Sequence, residues 1–268
     1  MAPEGPYISV ILPCYNAGRV LPESLRRLRA YLDADPHTWE LVVVDDGSHD
    51  DTAEILQAVS RTYPNETIRT LVHSINRGKG SAVRDGMLAA NGRHRVFIDV
   101  DLDYPPPEIG KVLARLEAGA DVAIASRMAS GSVLVMHPWH IQYLFTRHVA
   151  SRMLNKVFRS FYVRGVLDSQ AGLKGFTARA AEAIFPRTTI DRFSSDMEVL
   201  YIAHRLGLRI EQVPVNFAYG RQPSTVRFFR DGIYVVRDLI RIRVNGARGL
   251  YDGMCGRSRD GLGRLAPR

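Results

Sequence analysis

The sequence predicts an α/β fold with a mostly parallel β-sheet and helices on both of its faces. Short apolar runs rich in β-branched residues alternate with helical segments of about ten residues, a pattern typical of parallel strands joined by right-handed crossovers. Polar clusters follow these elements at residues 15–16, 45–48, 78–79 and 99–103. Because ligands of such sheets bind beyond the carboxyl ends of the strands, the clusters predict a ligand site at that edge.

The first half of the chain has the clearest periodicity. Strand 7–12 is rich in β-branched residues and is expected to end at Pro13. Helix 21–32 carries leucines at helical spacing, and helix 52–62 follows two aspartates that are suitable N-caps. The other elements expected here are strands 39–44, 68–73, 96–98 and 121–125 and helices 80–90 and 107–118.

The second half is less regular. Segments 141–161 and 228–244 combine helical apolar spacing with arginines, as helices on an anionic membrane surface do; a core-facing helix with a solvated side is the alternative. Residues 167–176 form a polar stretch punctuated by glycines. The other expected elements are helices 178–184 and 195–205 and a strand at 210–217.

Composition limits the class of protein. The 268-residue chain has a formal charge of +8, which favours phosphorylated substrates, nucleic acid or an anionic membrane as partners. Cys14 and Cys255 are too few and too far apart for a disulfide framework or a cysteine metal site. The N-terminal residues lack a signal-peptide pattern and no apolar run reaches membrane-spanning length. We therefore expect a cytoplasmic protein, with any membrane contact peripheral and on the cytoplasmic face.

The most informative stretch is 95–107, which reads RVFIDVDLDYPPP. Asp99, Asp101 and Asp103 occupy alternate positions, and in an extended segment such side chains share one face. Clustered carboxylates repel one another unless a cation lies among them, and hard divalent cations take oxygen ligands of this kind. The pattern therefore indicates a divalent metal site, with a solvated acidic turn as the alternative.

Five motifs in this order resemble the inverting family 2 glycosyltransferases of the Rossmann-like GT-A fold. They are ILPCYNAG at 11–18, VVVDDGSHDDT at 42–52, NRGKGSAVRDGML at 76–88, DVDLDYPP at 99–106 and ASRM at 125–128. LDSQAGLKGFTARAA at 167–181 and SSDMEVL at 194–200 more closely resemble the polyprenol-phosphate sugar synthases, especially the dolichyl-phosphate β-glucosyltransferases. The chain departs from the family at Ala17, where glutamate is common, and we expect no counterpart of the N-terminal membrane segment that many eukaryotic members carry.

The resemblance implies transfer of a hexose, with UDP-glucose the best match as donor, onto a polyprenyl phosphate in the presence of Mg²⁺ or Mn²⁺. It covers about residues 7–245 and implies a single GT-A domain over 1–245. Within that domain, 7–125 is the nucleotide-sugar half and 126–245 the acceptor half. Residues 246–268 are rich in glycine and arginine and are expected to form a disordered basic tail.

The resemblance also assigns roles on the donor side. Asp101 is the principal metal ligand and a catalytic residue, Asp103 takes a second ligand position, and Asp99 supports the metal or the donor ribose. The remaining nucleotide-sugar contacts are assigned to Pro13, Tyr15, Asn16, Asp45, Asp46 and Lys79. From the residues alone, an Asp-Gly turn with a helix cap would also explain Asp46, whereas a lysine between glycines at a helix start suits an anion.

The chemistry of the acceptor decides which further groups are needed. A phosphate monoester is already largely ionised at neutral pH, so it needs cations rather than a base. The candidates are Arg127, Arg147 and Lys174. A hydroxyl acceptor would instead need a general base, for which Asp196 is the best candidate. Asp168 and Gln170 are suited to binding sugar hydroxyls, or are plain turn residues, and a structural salt bridge is the alternative for Arg127.

Four other functions fit the sequence less well. The same donor chemistry on a soluble acceptor, such as a polysaccharide or a secondary metabolite, is the nearest. A nucleotidyltransferase would need a glycine-rich, arginine-containing loop after the first strand, where the chain has Pro13-Cys14-Tyr15-Asn16. Nucleic-acid binding is suggested only by net charge, and no binding motif supports it. The GKG motif at 78–80 lacks Walker A spacing, which disfavours ATP hydrolysis.

Overall fold

The structure is a computed structural model that describes residues 5–63, 67–135, 158, 160–218 and 228–252. Its strands are β1 (Ile8–Cys14), β2 (Trp39–Asp45), β3 (Ile68–Val72), β4 (His94–Ile98), β5 (Val122–Ser126), β6 (Val133–Val135), β7 (Leu173–Thr177), β8 (Ile210–Pro214) and β9 (Asn216–Ala218). Seven of them form one sheet of order β3-β2-β1-β4-β7-β5-β8, and β6 pairs with β9. Only the pairs of β7 with β4 and β5 are antiparallel, so the predicted mostly parallel sheet is confirmed.

Helices cover both faces of the sheet, also as predicted. They are α1 (Leu21–Asp33), α2 (Thr52–Thr62), α3 (Lys79–Ala89), α4 (Glu108–Glu117), α5 (Ala178–Ile184), α6 (Ser195–Arg205) and α7 (Phe228–Ala247). One hydrophobic core joins α1, α2 and α4 to the sheet. The other core lies under α3, α5, α6 and α7. Among the described residues, no helix is both long and apolar enough to span a bilayer.

The first strand continues through Pro13, where the sequence predicted its end. It pairs with β2 over its whole length, from Ile8 with Trp39 to Cys14 with Asp45. Its pairing with β4 stops at Ile11, so Pro13 lies where only one side of the strand is hydrogen-bonded. A proline is tolerated at such an edge position because the N–H it lacks is not needed there.

Sequence analysis missed the short β6 and, within the main sheet, the interior strand β7. The sequence of β7, LKGFT, contains a lysine and a glycine, which conceal the apolar run expected of a buried strand. It nevertheless lies between β4 and β5, and Lys174 is fully buried within it. Gly175 is required by close packing, because a Cβ there would lie 2.5 Å from Val112 Cγ1 of α4.

The C-terminal boundary also differs from the prediction. Disorder was expected from residue 246, but α7 extends to Ala247 and Tyr251 is fully buried. The expectation of disorder is therefore wrong for 246–252, while 253–268 lie outside the described residues. Nearly all of the helix predicted at 141–161, including Arg147, also lies outside the described residues.

Candidate active site

The predicted acidic cluster lies at the carboxyl edge of the sheet, but in a loop rather than on a strand. Strand β4 ends at Ile98, and the next residues turn, with Leu102 N–H donating to the Asp99 carbonyl at 3.1 Å. Leu102 adopts a left-handed conformation (φ 51°), and Asp103 N–H donates to the Asp101 carboxylate at 3.2 Å. The expectation that the three acids share one face of an extended segment is therefore wrong.

The acids are nevertheless close enough to influence one another. The pKa of Asp101 is raised to about 7, first because the surrounding protein removes water from its carboxyl group and then because Asp99 and Asp103 are negatively charged. Within the described part of the chain, no three His, Cys, Asp or Glu side chains form a complete metal site. A small carboxylate set fits a hard divalent cation that takes its other ligands from water and a bound diphosphate, as Mg²⁺ does.

Behind the acidic loop lies a four-residue charge cluster formed by Lys79, Asp99, Lys174 and Asp196. Lys79 Nζ is 2.6 Å from Asp99 Oδ1, and Lys174 Nζ is 2.5 Å from Asp196 Oδ1. Both ammonium groups lie beside the ring of Phe97, at 5.6 and 5.3 Å from its centroid. The cluster joins the ends of β4 and β7 to the first turns of α3 and α6.

The two lysines of the cluster are in different electrostatic environments. Burial lowers the pKa of Lys79, but the charges of Asp99, Asp196 and Asp101 outweigh it and hold that pKa above its ordinary value. For Lys174, which is 0% exposed, burial dominates and the pKa is lowered despite its pairing with Asp196. Lys79 is therefore a firmly charged cation at the site, whereas Lys174 is an interior group.

This arrangement bears on the roles predicted for Lys174 and Asp196. Lys174 was expected to contact an acceptor phosphate, but its Nζ is enclosed and donates to the Ala171 carbonyl at 2.6 Å as well as to Asp196. Asp196 was expected to serve as a base for a hydroxyl acceptor, but it is 5% exposed. In this structure the ammonium group of Lys174 and the carboxylate of Asp196 form a buried ion pair with each other.

Arg127 forms the structural salt bridge that sequence analysis gave as the alternative to phosphate contact, and its contact with an acceptor phosphate stays a prediction. Its Nε and Nη2 donate to the two carboxylate oxygens of Asp168 at 2.7 and 2.9 Å. Burial raises the pKa of Asp168, but the bonds and charge of Arg127 outweigh it and lower that pKa. Arg127 remains 23% exposed while Asp168 is buried, so the pair presents a cation rather than a carboxylate. Gln170 is half-buried nearby in the chain, and its Nε2 has no hydrogen-bond partner among the described residues.

The predicted nucleotide-contacting aspartates are buried at the end of β2. The carboxylate of Asp45 accepts from Ser48 Oγ at 2.5 Å, and that of Asp46 accepts from the N–H groups of Arg77 and Gly78 at 3.0 and 2.6 Å. Asp46 also contacts His73 Nδ1 at 2.7 Å. Both side chains therefore shape the loops around the site, and their contact with a nucleotide stays a prediction.

The end of β1 is more open. Tyr15 is 43% exposed, and Asn16, with φ 49°, receives a hydrogen bond from His49 N–H at 2.8 Å. Asn16 N–H in turn donates to Ser48 Oγ at 2.8 Å. Pro13, near the end of β1, is buried, and the contact of Pro13, Tyr15 and Asn16 with a nucleotide sugar stays a prediction.

The glycines of the GKG motif allow close packing against another part of the chain. A Cβ at Gly78 (φ 112°) would lie 2.5 Å from the Asp191 carbonyl oxygen, and one at Gly80 would lie 2.5 Å from Ser195 Cβ. Close packing is therefore sufficient to explain both glycines, and the approach of an anion to the backbone of this turn stays a prediction. The glycines let segment 188–195, which precedes α6, pack against the first turn of α3.

Two further residues of the site were not identified from the sequence. Tyr104 is buried, and its hydroxyl has no hydrogen-bond partner within the described part of the chain; burial raises its pKa. The carbonyl oxygen of Gly172, the residue before β7, accepts a hydrogen bond from the N–H of Asp99 at 3.0 Å. The periodicity of the sequence predicts neither the burial of Tyr104 nor the contact of Gly172 with Asp99, because both depend on which strand lies next to β4.

Gly172→Ala is predicted to displace Asp99 from Lys79. An added Cβ would overlap the Asp99 carboxylate, and this carboxylate can move only away from its present position. We expect turnover to fall by about tenfold to a hundredfold, because small displacements at a reacting centre are costly, with little change in melting temperature. Gly110→Ala, where the added Cβ would meet only the Tyr31 hydroxyl, is the control. Wild-type kinetics for Gly172→Ala would contradict the prediction.

The open sheet, the acidic loop at its carboxyl edge and the cations behind it define an α/β enzyme of GT-A fold, the class that includes nucleotide-sugar glycosyltransferases. The chain belongs to glycosyl transferase family 2, whose sequence model matches residues 9–184. It is therefore a glycosyltransferase, and the resemblance seen in its motifs is confirmed.

Curated relatives and solved structures agree with this classification. A dolichyl-phosphate beta-glucosyltransferase of Dictyostelium discoideum is 30% identical over 91% of this chain and 76% of its own length. The protein of that name from Homo sapiens is 28% identical over 91% and 77%. Glucosyl-3-phosphoglycerate synthase from Mycobacterium tuberculosis, solved with Mn²⁺, UDP-glucose and phosphoglyceric acid, has a TM-score of 0.61 at 20% identity, covering 90% of this chain and 79% of its own. A mannosyltransferase from Pyrobaculum calidifontis, solved with GDP-mannose and Mn²⁺, has a TM-score of 0.60 at 18% identity, covering 93% and 66%.

Proposed function

We propose that the protein transfers glucose, with inversion, from UDP-glucose to a polyprenyl phosphate in the presence of Mg²⁺ or Mn²⁺. The observation that carries this proposal is the similarity, over nine-tenths of the chain, to relatives named dolichyl-phosphate beta-glucosyltransferase. The donor and the metal are supported by the acidic loop and by the nucleotide sugars and Mn²⁺ named for the structural neighbours.

The chemistry of the site favours a phosphate over a hydroxyl as acceptor. Asp196, the candidate general base, is nearly inaccessible and lies 2.5 Å from the ammonium group of Lys174. A carboxylate held in this way is poorly placed to accept a proton from an incoming hydroxyl. A phosphate monoester needs no such help, because it is largely ionised at neutral pH.

Each group at the site then has a distinct task. Asp101, with Asp103 and Asp99, would hold the divalent cation, which neutralises the charge of a departing diphosphate when bound. Lys79 keeps Asp99 in place and adds positive charge on the donor side. Arg127, oriented by Asp168, presents its guanidinium group to the acceptor phosphate, since a planar fork suits phosphate oxygens.

A substrate panel tests the proposal. The protein is incubated with Mn²⁺, a polyprenyl phosphate and UDP-glucose, UDP-galactose, GDP-mannose or UDP-N-acetylglucosamine in turn, and nucleotide release and glycolipid formation are followed. UDP release with UDP-glucose alone, dependent on the lipid phosphate and absent with the corresponding polyprenol, is the expected result. Equal release with a soluble sugar acceptor would favour the alternative of a polysaccharide or secondary metabolite, and no glycolipid with any donor would overturn the proposal.

We also propose that α7 contacts an anionic membrane surface, where a polyprenyl phosphate would reside. Val236, Ile240 and Val244 recur at every fourth position and are 59%, 59% and 39% exposed. Arg237 and Arg241 are exposed beside them. Apolar side chains flanked by arginines suit the boundary between headgroups and acyl chains, and each arginine adds about 1 kcal/mol of attraction near anionic lipid.

Co-sedimentation with vesicles containing phosphatidylglycerol is accordingly predicted to be salt-sensitive. The double variant Arg237→Gln/Arg241→Gln should bind about 30-fold more weakly, because two basic residues that each contribute about 1 kcal/mol near the surface are lost. Arg26→Gln/Arg29→Gln, an equal change of charge on the exposed side of α1, is the matched control and should bind as the wild type does. Equal binding by both double variants would argue against α7 as the contact.

A further inference from the structure

The C-terminal end of the described chain is joined to the active-site side of the sheet through a buried hydrogen-bond network. Its members are Thr189, Glu198, Asn245 and Tyr251, which we call the Glu198 network. Glu198 and Tyr251 are 0% exposed and Asn245 is 7% exposed. The Tyr251 hydroxyl donates to Glu198 Oε1 at 2.6 Å, and Asn245 Nδ2 donates to Thr189 Oγ1 at 3.1 Å.

Glu198 connects this network to the backbone of segment 188–195. Its Oε2 accepts from the N–H groups of Thr189 and Ile190, each at 2.8 Å, and its Oε1 accepts from Thr189 Oγ1 at 2.8 Å. Buried polar networks of this kind define a single geometry when every member is satisfied. The carboxyl group therefore determines the course of the backbone at 189–190.

Segment 188–195 in turn supports the first turn of α3. Ser81 N–H donates to the Asp191 carbonyl at 3.1 Å, and Arg84 Nη2 lies 2.8 Å from Asp191 Oδ1. Gly78 and Gly80 leave no space between the two segments. Lys79 lies between these glycines, and its Nζ contacts Asp99 at 2.6 Å.

We infer that Tyr251 is a positioning residue for the donor side of the active site. It acts through Glu198 and segment 188–195 on the turn that carries Lys79. The C-terminal end of α7 packs closely against α6. This packing requires glycine at position 246, because a Cβ there would lie 2.6 Å from the hydroxyl of Tyr201 in α6. The end of the chain thus contributes to a site formed mainly by its first half.

Tyr251→Phe tests the inference, because it removes one hydroxyl and keeps the packed ring. The matched control is Asp252→Asn, which weakens the exposed ion pair with Arg205 (2.6 Å) that holds the same terminal segment to α6. Two readouts are used: hydrogen–deuterium exchange of the amides at 78–84 and 188–191, and the Michaelis constants for UDP-glucose and for polyprenyl phosphate. Only the second readout rests on the proposed function.

Tyr251→Phe should speed exchange in both segments and raise the Michaelis constant for UDP-glucose by about tenfold or more, leaving that for the acceptor within about twofold. Asp252→Asn should match the wild type in both readouts. If Tyr251→Phe does not fold, Thr189→Val, which removes a different hydroxyl of the network, carries the same expectation. Wild-type exchange at 78–84 in the folded variant, or an equal effect of Asp252→Asn, overturns the inference. Failure of the wild type to transfer glucose would refute the proposed function and leave the exchange experiment decisive.

Discussion

Asp101→Asn is expected to reduce glucosyl transfer by at least about 10³-fold, the scale on which an enzyme loses rate when a group stabilising developing charge is removed. The substitution keeps the shape of the side chain and removes its negative charge. Because Asp101 lies beside Asp99 and Asp103, which oppose its ionisation, loss of that charge relieves repulsion within the loop. The folded state without metal should therefore be at least as stable as that of the wild type.

Three measurements decide this prediction: turnover, melting temperature and binding of Mn²⁺ followed by electron paramagnetic resonance. Asp101→Asn should lose both turnover and Mn²⁺ binding while melting at or above the wild-type temperature. The matched control is Asp33→Asn, the same change of charge at the exposed end of α1 where Asp33 pairs with Arg29. Full turnover of the wild type in excess EDTA would show that the acidic loop has another purpose.

Lys174→Met is expected to destabilise the fold by about 3–5 kcal/mol, the range for removing one partner of a buried ion pair. Lys174 and Asp196 have side-chain exposures of only 0% and 6%, so the remaining carboxylate would be left in the interior without its cation. The same reasoning applies to Asp196→Asn, whose loss of activity would partly reflect an uncompensated lysine. A single substitution at either position therefore cannot separate a structural from a catalytic role.

The double variant Lys174→Met/Asp196→Leu makes that separation. Replacing both charges by apolar groups of similar size is often neutral or stabilising, so urea unfolding should show most of the lost free energy restored. If the charge of Asp196 is needed only for its pairing with Lys174, turnover should recover together with stability. If stability recovers while turnover remains more than about 10³-fold below the wild type, Asp196 takes part in the reaction and the phosphate-acceptor proposal is weakened.

The difference between these two predictions follows from where each carboxylate lies. Asp101 lies at the surface of its loop, although the surrounding chain keeps part of the water away from its carboxyl group, so its removal affects ligand binding and not the core. Asp196 lies in the first turn of α6 under neighbouring elements, so its removal affects folding first. Sequence analysis assigned both to catalysis because both are acids within family motifs, and motifs contain no information on burial.

Sequence alone determined the α/β class, most element positions in the first half and the edge of the sheet where the site lies. These features depend on short-range periodicity and on motifs a few residues long. The acidic loop was located in the same way, although its shape was not, because the left-handed conformation of Leu102 (φ 51°) has no distinct signature in DVDLD. The strand at 173–177 was missed because its lysine has a buried partner elsewhere in the chain.

Only the tertiary structure decided which charges meet. The partner of Lys174 is 22 residues away in the chain and that of Arg127 is 41 residues away, while Tyr251 reaches Glu198 across 53 residues. No local pattern specifies such pairs, because each depends on how two separately formed elements pack. The physical reason is that a buried polar group must find its partner within hydrogen-bonding distance, and that distance is set by the fold rather than by the spacing of residues along the chain.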